Sequence, residues 1–448
     1  MSKRFELTPE QIAISEERKA KKQKLQAQSP STQVNVDAAL ILSRPWLDLN
    51  FTENRNGAVR VRVMTWNLLA QCLVRRELFP TSNCLKGAQR QPMLHAEVLA
   101  QNADIMCLQE VDNLEKLLPT LEAAGYNHHY VAGPGKKHGC LVGFNEKYEK
   151  LQDRVIHYDE QHVRSEGDEN FRRGSSFRTR NIGSIVALKN LSNEGEGVVI
   201  GASTRVLNQL SLKPPRQAGI LIREIAKFRS ELHLESWPCM IAGDFNFSPD
   251  DPAYTLLVGG QLNAEQRDRL EISRVVHAAP VDDESGAVDP DRVITNARPA
   301  VPTDGLLSDS ELVSLFSSAN VVRSAYDEGL KMHTQDSPGL PTFGGRTGYY
   351  EPEYTSYTHY WKARLSISDR PAVVGGLLAP HIVKDLVPGL PQKGISGSDH
   401  ISLCAEIILP GAGSLEGQSL IINQKLGPNV CGVWRRREKE EKRSMSRL

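Results

Sequence analysis

The stretch 243–246, Gly-Asp-Phe-Asn, places a carboxylate and a carboxamide two residues apart. An apolar run, 240–242, precedes it, which is typical of a buried strand that feeds a loop. Side chains at i and i+2 of a strand point to the same side. Asp244 can bind a hard cation or take a proton from water, and Asn246 can hold a phosphate oxygen. The pair suits metal-assisted phosphoester hydrolysis, and an Asx turn that closes a strand is the alternative.

Polar side chains also occur where other apolar runs begin or end. The stretch 59–64 alternates with a period of two and leads to Asn67, and the apolar run 105–108 leads to Glu110. Asp399 and His400 stand directly before another apolar run. A sheet would bring these ends to one edge, where carboxylates and amides suit Mg²⁺. The candidate set is Asn67, Glu110, Asp244, Asn246, Asp399 and His400.

These motifs, in their order along the chain, resemble those of the endonuclease/exonuclease/phosphatase superfamily, which has the DNase-I-like fold. The finer resemblance is to the carbon-catabolite-repressor type of RNA exonucleases, which includes deadenylases. The resemblance covers roughly residues 58 to 410. The stretches that point to the fungal RNA exonuclease branch are Trp66-Asn67-Leu68-Leu69-Ala70, Arg216-Gln217-Ala218, Ser248-Pro249 and Tyr357-Thr358-His359-Tyr360.

The resemblance implies an α/β fold, a four-layer sandwich in which two mixed β-sheets pack face to face with helices outside. It also implies Mg²⁺-dependent 3′-to-5′ hydrolysis of RNA, with Mn²⁺ as the alternative cation. By motif position, Glu110 would bind the metal ion and Asp399 would be a carboxylate on the metal side.

The same motif positions imply roles for the remaining residues of the set. Asn67 would position water or metal, and Asp244 would activate or hold the attacking water. Asn246 would contact the phosphate. His400 would lie on the phosphate and stabilise its developing charge.

The sequence departs from the family pattern at two places. The family carries Thr-His-Leu before the long helix, but here Arg205 replaces the His if Thr204 is the anchor. Arg can pair with a phosphate but cannot shuttle a proton. The family also carries Leu-Asp-Tyr-Ile, and the nearest match puts Ser366 at the aspartate that hydrogen-bonds the catalytic His. Since loss of an orienting carboxylate costs orders of magnitude in a serine-protease triad, we expect a substantial loss of rate.

Both departures are local, with good resemblance on either side. One explanation is a diverged enzyme with weak or no activity. The other, which we favour, is a misread segment of the gene, because the pattern is lost and recovered abruptly. Asp369 lies three residues beyond Ser366, and this odd spacing puts it on the other face of the strand.

A loop rich in arginine and phenylalanine is predicted over residues 171–180, between two strands. Arg side chains pair with phosphates and Phe rings stack on bases, so the composition suits single-stranded nucleic acid. A solvated charged loop is the alternative. The candidate RNA contacts are Arg172, Arg173, Phe177, Arg178 and Arg180.

Composition sets further bounds. The 448 residues include 54 Lys plus Arg and 54 Asp plus Glu, so global charge argues neither for nor against nucleic acid. The seven cysteines show no zinc spacing, which favours reduced thiols in an intracellular protein. No signal-peptide pattern occurs, and no apolar run approaches the roughly 20 residues of a membrane span. We expect a protein of the cytoplasm, the nucleus or both, with no membrane association.

We expect three regions along the chain. Residues 1–55 form a charged, disordered arm, residues 56–410 the catalytic domain with a surface insertion at about 260–305, and residues 411–448 a charged tail. Apolar spacing predicts helices at 93–101, 114–124 and 216–234. A capping box at Ser308 and Glu311 predicts another helix, to about residue 320.

The leading hypothesis is a Mg²⁺-dependent RNA 3′-exonuclease that acts on a poly(A) tail or on the 3′ end of a ribosomal RNA precursor. Alternatives within the superfamily are an apurinic endonuclease and an inositol-phosphate phosphatase. From another class, a catalytically impaired RNA-binding protein is supported by Arg205 and Ser366 and opposed by the intact Glu110, Asp244 and Asn246. Metal-dependent turnover would separate an enzyme from a binder.

Overall fold

The computed structural model describes most of the region from residue 40 to residue 409. The described residues are 40–49, 58–176, 178–193, 196–203, 213–245, 247, 250–277, 297–317, 322–329, 363–367, 372–381 and 383–409. The predicted C-terminal tail, the aromatic stretch 333–360 and most of the predicted N-terminal arm lie outside them.

The strands and helices alternate along the described chain. The strands are β1 Trp46–Asp48, β2 Val59–Asn67, β3 Ile105–Val111, β4 Tyr126–Ala132, β5 Gly139–Asn145, β6 Tyr148–His157, β7 Ile182–Asn190, β8 Gly197–Ser203, β9 Cys239–Asp244, β10 Val275–His277, β11 Ala297–Pro299, β12 Arg323–Ser324, β13 Ala363–Ile367, β14 Val373–Leu378 and β15 Leu403–Leu409. The helices are α1 Gly87–Ala100, α2 Leu114–Ala123, α3 Glu169–Arg173, α4 Lys213–Glu231, α5 Pro252–Leu257, α6 Ala264–Ser273 and α7 Asp309–Ser314.

Two mixed sheets form the centre of the molecule. The first has seven strands in the order β1-β14-β15-β2-β3-β5-β4, and the second has six in the order β12-β13-β9-β8-β7-β6. The pairs β2–β3 and β8–β9 are parallel, and the other pairs within the two sheets are antiparallel. The short ribbon β10–β11 stands apart from both sheets.

The sheets pack face to face because each turns a row of apolar residues inward. Val61 and Ile105 of the first sheet share one buried cluster with Val186, Ile200 and Ala242 of the second. The outer face of the first sheet packs against α1 and α2, and that of the second packs against α4 to α7. This arrangement confirms the predicted α/β four-layer sandwich.

The central strands are covered on both faces, and their sequences show it. All seven residues of β3, Ile-Met-Cys-Leu-Gln-Glu-Val, are buried, as are all seven of β8. Near-continuous apolar runs are typical of strands buried on both faces. The polar Gln109 and Glu110 at the end of β3 are therefore buried with the strand that carries them.

The helix predictions were largely right, with shifted bounds. α2 lies where it was predicted, whereas α1 begins at Gly87 rather than at residue 93. α4 begins at Lys213 because Pro214 and Pro215 are tolerated in a first helical turn. It ends at Glu231, before His233, whose φ of 55° is left-handed.

Three other predictions need correction. Trp46–Asp48, inside the predicted disordered arm, form the edge strand β1 paired to β14. The stretch predicted as a surface insertion contains α6, which begins at an Asn263–Gln266 capping box that the sequence reading missed. The helix after Ser308 has the predicted cap but ends at Ser314. Within the described residues, no helix is both long enough and apolar enough to cross a membrane.

Candidate active site

Asp244 ends β9 at the edge where the two sheets meet. Its side chain is fully buried, and one carboxylate oxygen accepts a hydrogen bond from Asn67 Nδ2 at 2.8 Å. Gly243 precedes it, and a Cβ there would lie 2.9 Å from the backbone oxygen of Ser203 on β8. Only glycine allows β8 and β9 to lie this close at the strand end.

Glu110 reaches the same place from the first sheet through a distorted backbone. Its φ is 54°, and the pairing of β3 with β5 shifts register between Leu108 and Val111. A bulge of this kind re-aims a side chain, and left-handed backbone at a non-glycine residue is a strain typical of functional sites. The carboxylate accepts hydrogen bonds from Asn67 Nδ2 at 2.9 Å and from the Ala70 N–H at 3.1 Å.

Asn67 joins the two carboxylates across the gap between the sheets. Its amide nitrogen donates to both Glu110 and Asp244, and its Oδ1 accepts from the Leu69 N–H at 2.9 Å. A flipped amide would set its oxygen against two carboxylates, so the hydrogen-bond network determines this orientation. Asn67 therefore orients both carboxylates, which is more specific than the predicted role of positioning water or metal.

Ser398, Asp399 and His400 form a buried turn beside Asn67. Ser398 Oγ donates to the Asn67 carbonyl at 2.6 Å, and the His400 N–H donates to Ser398 Oγ at 3.1 Å. Trp66 Nε1 donates to the His400 carbonyl at 2.8 Å, and His400 Nε2 lies 3.9 Å from Asp399 Oδ1. The structure thus brings Asn67, Glu110, Asp244, Asp399 and His400 to one edge, as the strand-end argument predicted.

A buried arginine that the sequence reading did not single out lies behind this edge. Arg90 of α1 is 1% exposed, and its guanidinium donates to the carbonyls of Leu68, Leu69 and Gly397 and to Gln71 Oε1. Burial lowers the pKa of Arg90, and the nearby carboxylates of Asp399, Asp112 and Glu110 act in the opposite direction. Residue 90 lay before the helix predicted at 93–101, where an isolated arginine carries no signal of burial.

The predicted arginine-rich loop is partly helical. Arg172 and Arg173 lie in α3, which ends at Gly174 in left-handed conformation, and both pair with Glu169. The pairing leaves Arg172 and Arg173 less available to RNA than a free loop would. Phe177 lies outside the described residues, so its predicted stacking role stays a prediction.

Arg178 and Arg180 remain exposed at the rim of the same edge. The N–H groups of Thr179 and Arg180 donate to the Asp159 carboxylate, which holds this segment in place. A Cβ at Gly133 would lie 2.1 Å from the Arg180 carbonyl, so the β4–β5 connection abuts it. Arg178 and Arg180 form the basic rim, and Glu110, Asp244 and Asp399 form the acidic cluster. Because β5 starts opposite Val111, which follows Glu110, the basic rim lies next to the acidic cluster.

The remaining positions that the sequence singled out are Asn246, Thr204, Arg205 and Ser366. Asn246, Thr204 and Arg205 lie outside the described residues. Ser366 lies in β13, opposite Ile241 and three positions along β9 from Asp244. The predicted effects of the departures at Arg205 and Ser366 therefore stay predictions.

The acidic cluster fits Mg²⁺ by the chemistry of its donors. Among the described residues, no three His, Cys, Asp or Glu side chains form a closed metal cage. Mg²⁺ does not need one, since it is typically held by one or two carboxylates together with waters and substrate phosphates. Glu110 and Asp399 are buried carboxylates at this edge, 3% and 6% exposed.

Comparisons with known proteins agree with this geometry. The family model described as Endonuclease/Exonuclease/phosphatase family matches residues 64–401. A probable RNA exonuclease of Schizosaccharomyces pombe is 34% identical over 223 residues, which are 48% of this chain and 42% of that protein. The chain thus spans less than half the length of that relative.

Two further comparisons extend over most of the chain. An RNA exonuclease of Saccharomyces cerevisiae, NGL2, is 26% identical over 406 residues, 80% of this chain and 76% of that protein. The crystal structure of ANGEL2, described as a 2′,3′-cyclic phosphatase, superposes with a TM-score of 0.57 at 20% identity, over 83% of this chain and 99% of that one. This likeness shows the fold. With the family match over most of the described region, the chain belongs to the Endonuclease/Exonuclease/phosphatase family.

Proposed function

We propose that this protein is a Mg²⁺-dependent RNA exonuclease that removes nucleotides from 3′ ends. The observation that carries the proposal is the buried bridge in which Asn67 orients Glu110 of one sheet and Asp244 of the other. The names of the fungal relatives support RNA as the substrate class. The 3′-to-5′ direction of cleavage rests on the family resemblance. Either a poly(A) tail or the 3′ end of a ribosomal RNA precursor would be a suitable substrate.

Glu110 and Asp399 would hold the metal ion. Mg²⁺, when bound, supplies Lewis-acid stabilisation of charge on the scissile phosphate. Asn67 Nδ2 donates to one oxygen of the Glu110 carboxylate and the Ala70 N–H donates to the other, so the two bonds hold the carboxylate in a fixed orientation.

Asp244 would hold the attacking water and take its proton. The water oxygen forms the new bond to phosphorus while the bond from phosphorus to the 3′ oxygen breaks, and the leaving 3′ oxygen takes a proton from bulk water. Asn67 keeps the Asp244 carboxylate aimed at the edge through one oxygen. The role of Asn246 as a phosphate contact stays part of this proposal.

His400 would donate to a phosphate oxygen as negative charge develops there. Its backbone is fixed on both sides, by Ser398 Oγ at the N–H and by Trp66 Nε1 at the carbonyl. An imidazole on a backbone held this firmly requires little reorganisation when the charge develops.

The basic rim gives single-stranded RNA a path to the edge. Arg178 and Arg180 are exposed and precede β7, and Arg180 lies against the β4–β5 connection of the other sheet. Exposed guanidinium groups neutralise backbone phosphates without regard to sequence. The upstream part of the RNA would therefore follow this rim, with its 3′ end at Asp244.

The test is cleavage of a 5′-labelled single-stranded RNA by the full chain in Mg²⁺, with EDTA and Asp244→Asn as negative controls. Asp104→Asn is the matched control, because Asp104 is also a buried carboxylate but lies at the opposite end of β3, bonded to Arg62 and Lys147. We expect a ladder that shortens from the 3′ end, retained in Asp104→Asn and lost in both negative controls.

Other outcomes would contradict the proposal in distinct ways. Internal cuts, or cleavage only of abasic DNA or of an inositol phosphate, would assign the site to another phosphoesterase of the family. RNA that is bound but never cut, with or without metal, would support the impaired relative. If the wild type binds RNA without cutting it and the double variant Ser366→Asp with Arg205→His gains activity, the impairment results from the departures from the family pattern at these two positions.

A further inference from the structure

Arg90 is a buried cation next to the candidate site, and its guanidinium donates four hydrogen bonds. Its Nη2 donates to the carbonyls of Leu68 at 2.6 Å and Leu69 at 2.5 Å, and its Nε donates to the Gly397 carbonyl at 2.6 Å. Nη1 donates to Gln71 Oε1 at 3.1 Å. A single guanidinium thus binds two separate turns at once.

Both turns carry residues of the candidate site. Leu68 and Leu69 follow Asn67 directly, and Gly397 directly precedes the buried turn 398–400. Arg90 and Gly397 are 307 residues apart in the chain, so the contact between them is made by the tertiary fold and not by local structure. The Ser398 Oγ bond to the Asn67 carbonyl is a second link between the same turns.

The contacts continue from Arg90 to a carboxylate. Arg90 holds the Leu69 carbonyl, and the next residue, Ala70, donates its N–H to Glu110 Oε2. Leu69 has a φ of 57°, so this turn is strained and depends on its hydrogen bonds. Loss of Arg90 would remove the link that its guanidinium provides between the Glu110 and Asp399 sides of the site and leave the Ser398–Asn67 bond to hold them.

We propose that Arg90 is a positioning residue for the divalent cation, because its planar fork sets the spacing of the turns that aim Glu110 and Asp399. This inference rests on the proposed function. Lysine carries the same charge but cannot reproduce the fork, since one ammonium group cannot reach three carbonyls in these directions.

Arg90 could affect metal binding through its geometry or through its charge, and the two effects predict different metal affinities when Arg90 is replaced. A positive charge beside a cation site repels the cation, so an effect of charge alone would make Arg90→Met bind metal more tightly and leave Arg90→Lys unchanged. An effect of geometry would weaken binding in both variants. Supporting residues around metal ligands typically contribute about 10- to 100-fold in metal affinity.

The experiment is a Mn²⁺ titration of the full chain without substrate, followed by electron paramagnetic resonance. We expect affinity to fall about 10- to 100-fold in both Arg90→Lys and Arg90→Met. Arg229→Lys is the matched control and should bind as the wild type does. Arg229 also holds backbone carbonyls, those of Glu235 and Trp237, but at the edge remote from Asp244.

Mn²⁺ affinity of Arg90→Met equal to or tighter than that of the wild type would overturn the inference. If Glu110→Gln loses Mn²⁺ while both Arg90 variants keep it, this inference fails and the proposed function stands. A wild-type chain that binds no Mn²⁺ contradicts both. Should Arg90→Met not fold, the charge-conserving Arg90→Lys alone carries the test, and wild-type affinity in that variant would overturn the inference.

Discussion

At the scale of single residues, the site depends on one amide that donates to two carboxylates. Asn67 is 1% exposed, and its two acceptors, Glu110 and Asp244, are 3% and 0% exposed. Hydrogen bonds to ionised groups are stronger than neutral ones, and a buried charge left without its donor is costly. The chemistry and the local stability of this edge are therefore coupled through Asn67.

Asp244→Asn should abolish most of the hydrolysis without unfolding the chain. The amide keeps an oxygen for Asn67 but cannot take a proton from water, and general-base catalysis typically contributes about 10²- to 10⁴-fold. Single-turnover rates on saturating RNA would measure the loss, with Asp104→Asn as the control. A rate within about fivefold of the wild type would remove Asp244 from the base role.

Asn67→Asp should destabilise the protein and make its stability depend on Mg²⁺. The substitution keeps the shape but replaces the shared donor with a third carboxylate, and disruption of a buried charged network typically costs about 3–5 kcal/mol. A bound cation would offset part of this loss, since ligands that bind only the folded state stabilise it. Urea unfolding with and without Mg²⁺ measures both effects, and equal stability to the wild type would contradict the expectation.

At the scale of elements, Arg164, which precedes α3 in the chain, joins this part of the chain to α7. Arg164 forms a two-pronged pair with Glu311, at 2.6 Å through Nε and 2.8 Å through Nη2, and also donates to the Gly305 carbonyl. Its guanidinium lies 4.2 Å from the centre of the Phe171 ring. Arg164 therefore fixes α3, the helix that precedes Arg178 and Arg180 in the chain, against α7.

Glu311→Gln should lower stability at neutral pH but not in strong acid. The pair with Arg164 lowers the pKa of Glu311 from its ordinary 4.5 to about 2, so the unfolded chain takes up the proton first as pH falls. The contribution is full above pH 4.5 and disappears as the pH approaches 2. Because Glu311 is 39% exposed, we expect only about 1 kcal/mol.

Chemical denaturation at a series of pH values measures this difference. Glu271→Gln is the control, since Glu271 is 77% exposed and pairs with Arg274 within its own helix end. A gap between wild type and Glu311→Gln that persists at pH 2 would show that packing, rather than the ion pair, carries the contribution.

At the scale of the whole molecule, charge is balanced in total but separated in space. The formal net charge is zero, yet the candidate site gathers carboxylates at one edge with exposed arginines on its rim. A balanced chain does not attract nucleic acid as a whole. The local rim must then supply the attraction for RNA.

Arg178→Gln with Arg180→Gln should weaken RNA binding and reduce its salt dependence. Each phosphate contact with a single strand contributes about −0.7 to the slope of log affinity against log salt, so two lost contacts should reduce the slope by about 1.4. Fluorescence anisotropy in the catalytically silent Asp244→Asn background gives the slope. The matched double variant is Arg60→Gln with Lys147→Gln, exposed cations at the opposite edge. An equal change of the slope in both double variants would show that total charge, rather than the position of Arg178 and Arg180, determines RNA binding.

The sequence by itself determined the fold class and most of the site. Strand-end positions follow from the side-chain period along each run, so Asn67, Glu110 and Asp244 could be placed at one edge without coordinates. The capping boxes that begin α6 and α7 are equally local, although only the second was used. Such features depend on neighbours in the chain and are therefore visible in it.

The tertiary structure alone decided the contacts between distant segments. The amide orientation of Asn67 depends on carboxylates 43 and 177 residues away. Arg90 binds a turn 307 residues away, and the bulge at Glu110 arises from pairing with β5. A lone arginine and an ordinary strand end carry no sequence signal for these roles, because hydrogen-bond partners across the fold are fixed only when the two sheets pack.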